Sequence, residues 1–168
     1  MKKVSAFSNY RSLVLLFLPA IGFFLFYYSF PNLPIFSDKS WGVFPIQVWL
    51  MVVSGGVGTL GGLLDWRYHR NPLNLHLPEK ERLAEAYALG LGGGSLFGLM
   101  CLASLSKTPS NFLIPIVISA LFTTTLICYD EFVFHRKRCK PKENRYHSML
   151  VFGNGIAWLC WLELIYGQ

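Results

Sequence analysis

Five long apolar runs separated by short polar segments dominate the chain. Each run has about 18 residues or more, which is the length that an α-helix needs to cross a hydrocarbon core of about 30 Å. The runs cover residues 13–30, 43–66, 83–105, 112–134 and 146–166. The pattern therefore predicts an all-α, polytopic membrane protein in which residues 1–168 form a single domain of five transmembrane helices.

The first run also has a second interpretation. Lys2, Lys3 and Arg11 precede it, as basic residues precede the apolar core of a cleaved signal peptide. The run is nevertheless long, rich in Phe and Tyr, and without an A-x-A-like cleavage site. These features favour a retained helix.

Glycines are concentrated in the second and third runs, where they allow helix backbones to approach closely. They include Gly55, Gly56, Gly58, Gly61 and Gly62, and then Gly90, Gly92, Gly93, Gly94 and Gly98. A weak internal repeat adds to this pattern, because Pro78 and Pro141 are each followed by Arg at the fourth position. We therefore expect helices 2 and 3 to pack tightly on each other, helices 2–5 to form a four-helix bundle of two hairpins, and helix 1 to be appended.

The composition excludes an ordinary soluble domain. Hydrophobic residues make up 53% of the chain and charged residues only 14%, whereas a soluble domain has about a quarter of its residues charged. The formal net charge is +6, but the basic residues lie in short segments between apolar runs. That distribution is typical of a protein at an anionic membrane face and not of a nucleic-acid-binding protein. None of the four cysteines forms a CxxC pair, so no disulfide framework is predicted.

The loops indicate the orientation in the membrane. Four Lys and Arg residues lie in segment 67–82 and six in segment 135–145, whereas segments 31–42 and 106–111 have one lysine each. Lys and Arg concentrate on the cytoplasmic side of membrane proteins. We therefore expect a cytoplasmic N-terminus, an outer C-terminus and a location in the cytoplasmic (inner) membrane.

Histidines and acidic residues recur together in the segments predicted to be cytoplasmic. Three of the four histidines follow an acidic residue by four positions, although 4 × 9/168, about 0.2, such pairs are expected by chance. Residues four apart share one face of a helix, so a carboxylate and an imidazole can reach the same ion. We expect the metal ligands to be Asp65, His69, His76, Glu131, His135, Glu143 and His147, with Asp130 and Glu85 as catalytic acid–base residues.

This arrangement resembles that of the carboxylate-bridged di-iron bundles, in which Glu and Glu-x-x-His motifs project inward from four helices. The spacing differs, since the pairs here are four residues apart and not three. Membrane desaturases and hydroxylases offer a looser similarity, but they are richer in histidine. A mixed nitrogen and oxygen ligand set suits iron, zinc or manganese. The resemblance favours iron and implies a di-metal oxidoreductase of hydroxylase or desaturase type, acting on a lipid or another hydrophobic substrate.

Other functions fit the same residues. With zinc, the site would catalyse hydrolysis by an activated water, with Asp130 or Glu85 as the base. Alternatively, the pairs of acidic residues and histidines would be simple ion pairs at the membrane interface, in a non-enzymatic subunit that binds lipid or a partner protein. A transporter is less favoured, because no charged residue lies near the middle of a predicted span.

Overall fold

The structure is a computed structural model that describes residues 6–36, 44–70, 79–133 and 140–167. Every regular element in these residues is helical, which confirms the all-α prediction. The α-helices are α1 (Ala6–Ser29), α2 (Ile46–Arg70), α3 (Glu79–Ala86), α4 (Gly94–Leu105), α5 (Leu113–Val133) and α6 (Pro141–Tyr166). A π-helical segment, Tyr87–Gly93, joins α3 to α4, and short 3₁₀ turns cover Phe30–Asn32, Pro34–Phe36 and Pro109–Phe112.

Five segments of the described chain are long and apolar enough to cross a membrane. They are Val14–Asn32, Ile46–Tyr68, Tyr87–Leu105, Pro109–Val133 and Pro141–Tyr166. Large apolar side chains also cover the outside of the molecule: Phe24, Ile114 and Phe152 are 64%, 72% and 68% exposed. Such a surface is compatible with an integral membrane protein and would be a liability in water.

Four helical segments extend further than predicted, and two of them, α1 and α3, begin earlier, at Ala6 and Glu79. Helix α6 begins at Pro141 and not at residue 146, because proline suits the first position of a helix, where its missing N–H is not needed. Helix α2 continues to Arg70, four residues beyond the predicted end. The apolar pattern does not predict these additional helical turns, since their residues are mostly polar.

The ends of the helices form two groups. The basic end comprises the start of α3 and α6 and the last turns of α2 and α5. Its exposed cations are Arg67, Lys80, Lys140, Lys142 and Arg145. The aromatic end comprises the opposite helix ends, where Phe30 and Phe36 are fully buried and their ring centroids lie 4.5 Å apart.

The most extensive helix–helix interface joins α2 to α6. The two helices are antiparallel: Gln47 donates to Glu163 Oε1 at 3.2 Å at one end, and the Tyr68 and Tyr146 rings make an edge contact at the other, with centroids 6.1 Å apart. We expected tight packing between the predicted helices 43–66 and 83–105. That expectation is wrong, because α6 occupies the glycine face of α2. Among the described residues, the atom found within 4 Å of an ideal Cβ position on Gly93 of the π segment is the Ala88 carbonyl oxygen, at 3.7 Å.

Helix α1 is part of the bundle and not an appended helix. Its side chains Leu16, Phe23 and Phe26 are buried. A Cβ atom at Gly55 of α2 would lie 2.8 Å from Phe23 Cδ2, and the Phe23 ring makes an edge contact with Phe97 of α4 at 6.5 Å. Close approach to α2 on one side and α4 on the other thus buries one face of α1.

Polar contacts and aromatic packing hold the aromatic end together. The buried Trp161 indole donates from Nε1 to Ser104 Oγ at 2.9 Å, which links α6 to α4. The Tyr166 hydroxyl donates to the Pro109 carbonyl oxygen at 2.9 Å. Most of the fully buried side chains lie at the aromatic end. The histidines and carboxylates predicted to be metal ligands lie at the basic end, where fewer side chains are fully buried.

Candidate metal centre

One histidine and one carboxylate meet between two helices at the basic end. The Nε2 atom of His147 in α6 lies 3.2 Å from Oε2 of Glu131 in α5. Both side chains are sheltered, with 16% exposure for His147 and 32% for Glu131. Glu131 Oε2 has no hydrogen-bond partner among the described residues, so this close approach is not a hydrogen bond. The structure therefore brings together two of the predicted ligands, but across helices and not within one helix.

Two further predicted residues are buried at this end. Asp130 is 5% exposed and Glu143 is 2% exposed. Burial of a charged carboxylate is costly unless a proton, a cation or hydrogen bonds compensate it. Both residues take part in interactions within the protein. The basic end is thus a place where several carboxylates face inward.

Glu143 has a role in the fold that its predicted ligand role did not include. It occupies the third position of α6, and its Oε2 accepts a hydrogen bond from the Lys140 backbone N–H at 3.3 Å. A carboxylate at this position caps the helix and lies near the positive end of the helix dipole. One of its two oxygens is therefore committed to the start of α6.

Asp130 and Glu131 point to different neighbours although they are adjacent in sequence. The buried face of α5 contains Ile116, Thr123 and Asp130, spaced seven residues apart. Thr123 on this face lies against Gly92 of the π segment, where a Cβ atom would be 3.2 Å from Thr123 Cα. Asp130 therefore lies on the side of α5 that packs on the π segment and α3, whereas Glu131 lies towards α6.

The predicted catalytic residue Glu85 lies in α3, which packs against α5. Because Gly92 is level with Thr123 and the two segments are antiparallel, position 85 is about level with position 130. The backbone thus places both predicted catalytic positions at the basic end. The Glu85 side chain is outside the described part of the structure.

Asp65 lies on the glycine face of α2. It follows Gly58 by seven residues and Gly61 by four, so it shares the face that packs on α6. It is half-buried and takes part in an interaction within the protein. Asp65 therefore faces the helix that carries His147, near the same end of the bundle.

Three predicted ligands cannot be placed by their side chains. His76 and His135 lie outside the described residues, as does the side chain of His69 in the last turn of α2. Within the described residues, no group of three or more His, Cys, Asp and Glu side chains is arranged to hold a metal ion. The described part of the predicted centre is the Glu131–His147 pair with inward-facing carboxylates near it.

The glycine-rich third run produces a feature that apolar periodicity did not predict. Residues 87–93 form a π-helix, which is rare, occurs mostly as a single turn, and is frequent at functional sites. Gly90, Gly92 and Gly93 lie in it, and the absence of a side chain at Gly92 allows a close approach to Thr123 of α5. The signal in the sequence was the density of glycines, which indicated close packing but not the helix type.

An apolar crevice opens between α1, the π segment, α4 and α6. Its volume is about 60 Å³, and its lining is apolar except for Asn154. Asn154 follows His147 by seven residues and so lies on the same face of α6, about 10 Å further along the helix. Its Oδ1 atom is buried without a hydrogen-bond partner among the described residues, while Nδ2 donates to the Leu150 carbonyl oxygen at 2.9 Å.

Comparison of the chain with protein-family models, curated proteins and solved structures gives no significant match. Its function is therefore inferred from the chemistry of its own residues.

Proposed function

We propose that this protein is an integral membrane metalloprotein with a histidine–carboxylate site at the basic end. The observation that carries the proposal is the approach of His147 Nε2 to Glu131 Oε2 at 3.2 Å across two helices. Metal–nitrogen and metal–oxygen bonds are about 2.0–2.2 Å long, so neighbouring ligand atoms on one ion are roughly 3.0–3.5 Å apart. The pair thus has the spacing of two ligands of one ion.

The surroundings of the pair also favour a bound cation. Asp130 and Glu143 are almost fully buried at the same end, and Asp65 lies on the face of α2 that packs on α6. Inward-facing negative charge in a low-dielectric environment attracts a divalent ion. We further propose that His69, His76 and His135 complete the ligand set, with two ions bound and iron preferred over zinc or manganese.

The proposed reaction is the oxidation of a hydrophobic substrate by O₂, as in hydroxylation or desaturation of a lipid, with two further electrons supplied by a separate reductant. Bound iron would supply the redox chemistry. Asp130 and Glu85 would hold or transfer a proton from the α5 and α3 side of the site. The apolar crevice beside Asn154, with a volume of about 60 Å³, would hold only a short segment of such a substrate.

We also propose that the basic end is cytoplasmic and that the protein resides in the cytoplasmic membrane. Exposed cations at the basic end, including Lys80 and Lys140, support this orientation. It places the N-terminus inside and the C-terminus outside.

A second candidate function is that of a non-enzymatic membrane subunit. The capping role of Glu143 favours it, because that carboxylate already contributes to the fold without a metal. In this case Glu131 and His147 form an ion pair that holds α5 to α6.

Metal analysis of the full-length protein separates these two functions. The protein should be purified in detergent without a polyhistidine tag from cells supplied with iron, zinc and manganese, and its metal content measured by mass spectrometry. We expect about one to two ions per chain in the wild type and a loss of at least half of them in His147→Ala and Glu131→Gln. Glu163→Gln, which removes a carboxylate at the aromatic end, is the control and should retain the wild-type content. A wild type that carries less than about a tenth of an ion per chain would contradict the metalloprotein proposal and favour the ion pair.

A further inference from the structure

At the basic end, the described positively charged side chains are exposed and two of the acidic side chains are buried. The described cations there, among them Arg67, Lys142 and Arg145, are exposed. The acidic side chains Asp130 and Glu143 are buried. The outer surface of this end is therefore more cationic than its composition alone suggests.

One of these cations lies over a pair of tyrosines where α2 meets α6, and the other two are sequence neighbours of those tyrosines. The Tyr68 and Tyr146 rings form an edge contact with centroids 6.1 Å apart, and Lys142 Nζ lies 5.9 Å from the centroid of Tyr68. Arg67 and Arg145 each directly precede one of the tyrosines. We call this group of five residues the cationic seam.

Each arginine of the cationic seam continues an exposed apolar stripe. On α2, Leu60 and Val53 lie seven and fourteen residues before Arg67 and are 49% and 63% exposed. Residues seven apart share one helix face, so Arg67 and the two apolar residues lie on the same face of α2.

The same pattern recurs on α6 with the opposite chain direction. Phe152 and Leu159 lie seven and fourteen residues after Arg145 and are 68% and 56% exposed. Both helices thus present a cation at the end of an exposed apolar stripe that is about 21 Å long.

From this arrangement we infer that the cationic seam binds the headgroup of an anionic phospholipid, whose acyl chains lie along the exposed apolar stripes. Arginine pairs well with phosphate oxygens, and tyrosine rings favour the headgroup level of a bilayer. Tyr68 is the last residue of its candidate span, which places the seam at that level. A soluble phosphate would use the cations but not the stripes, so the combination favours a lipid. The inference does not depend on a bound metal.

Native mass spectrometry of the full-length protein in detergent tests this inference. The protein should be mixed with equal amounts of phosphatidylglycerol and phosphatidylcholine with identical acyl chains, and the bound lipids counted. We expect a preference of about tenfold or more for phosphatidylglycerol, since several basic residues near a membrane surface each strengthen anionic lipid binding about fivefold. Equal binding of the two lipids would overturn the inference.

Substitutions locate the site. Arg67→Gln and Arg145→Gln should each lower the preference about threefold to fivefold, whereas Arg67→Lys should keep most of it. Lys107→Gln, at an exposed position of the aromatic end, is the matched control and should leave the preference unchanged. Because the substituted residues are exposed, these variants should keep the wild-type unfolding temperature, which the same samples can report.

Two results would overturn the inference in this second experiment. One is an equal loss of preference in Lys107→Gln and in the seam variants, which would indicate a general charge effect. The other is release of phosphatidylglycerol by inorganic phosphate at a similar concentration, which would indicate a site for a soluble anion.

Discussion

Replacement of Gly153 by alanine should force α2 and α6 apart. A Cβ atom at this position would lie 2.5 Å from the Gly58 nitrogen and 2.7 Å from both Gly58 Cα and the Ser54 carbonyl oxygen. All three are backbone atoms, so no side-chain rotation can relieve the clash. Ordinary contacts between heavy atoms are about 3.5–4.0 Å long. The helices would therefore have to separate by about 1 Å along their most extensive interface.

Two opposing effects determine how much Gly153→Ala changes the free energy of unfolding. An added methyl group in a closely packed interior costs about 1–3 kcal/mol or more. Alanine in place of glycine also stabilises a helix by about 1 kcal/mol. Gly155 lies two residues away on α6, and no atom of the described residues lies within 4 Å of its Cβ position. Gly155→Ala should therefore gain helix stability without a clash. We expect Gly153→Ala to be less stable than Gly155→Ala by about 1–3 kcal/mol.

The free energy of unfolding can be measured by titration of detergent-solubilised protein with sodium dodecyl sulfate, followed by tryptophan fluorescence. Wild type, Gly153→Ala and Gly155→Ala should be compared under identical conditions. If the two variants differ by less than about 0.5 kcal/mol, which is the usual range for a surface substitution, the close contact between α2 and α6 is refuted.

Two further predictions concern the aromatic end and the topology. Trp161→Phe and Ser104→Ala each remove the buried hydrogen bond of 2.9 Å between α6 and α4; a double-mutant cycle measured by the same titration should give a coupling of about 0.5–1.5 kcal/mol, and zero coupling would contradict the bond. A reporter fused after Gln168 should be non-cytoplasmic and one inserted in segment 136–142 cytoplasmic, because basic loops remain inside; reporters on the same side would contradict five spans.

The apolar pattern predicts the spans well because membrane crossing requires long uninterrupted apolar runs. It cannot predict which helices pair, since glycines are present in α2, the π segment and α6 alike. Gly58 is level with Gly153 in α6, and that pairing depends on the fit of two whole faces. The contact between α2 and α6 therefore emerges only from the three-dimensional arrangement.

At the candidate centre, too, the sequence predicts some features and not others. The spacing of acidic residues and histidines predicts a site at the basic end, and Glu131 and His147 approach each other there. The spacing does not predict that the meeting takes place between α5 and α6, since a repeat of four residues reports only on one helix. Glu143 illustrates a second difficulty, because the third position of a helix that begins with proline is also a capping position.

The most direct test of the proposed metal centre is X-ray absorption spectroscopy of the full-length protein, recorded at the absorption edge of the metal that copurifies with it. We expect a first shell of nitrogen and oxygen ligands at about 2.0–2.2 Å, with the outer-shell scattering of coordinated imidazole. In His147→Ala the imidazole scattering should weaken, while Glu163→Gln should give the wild-type spectrum. A wild-type spectrum without imidazole scattering, or one that His147→Ala leaves unchanged, would contradict the assignment of His147 as a ligand.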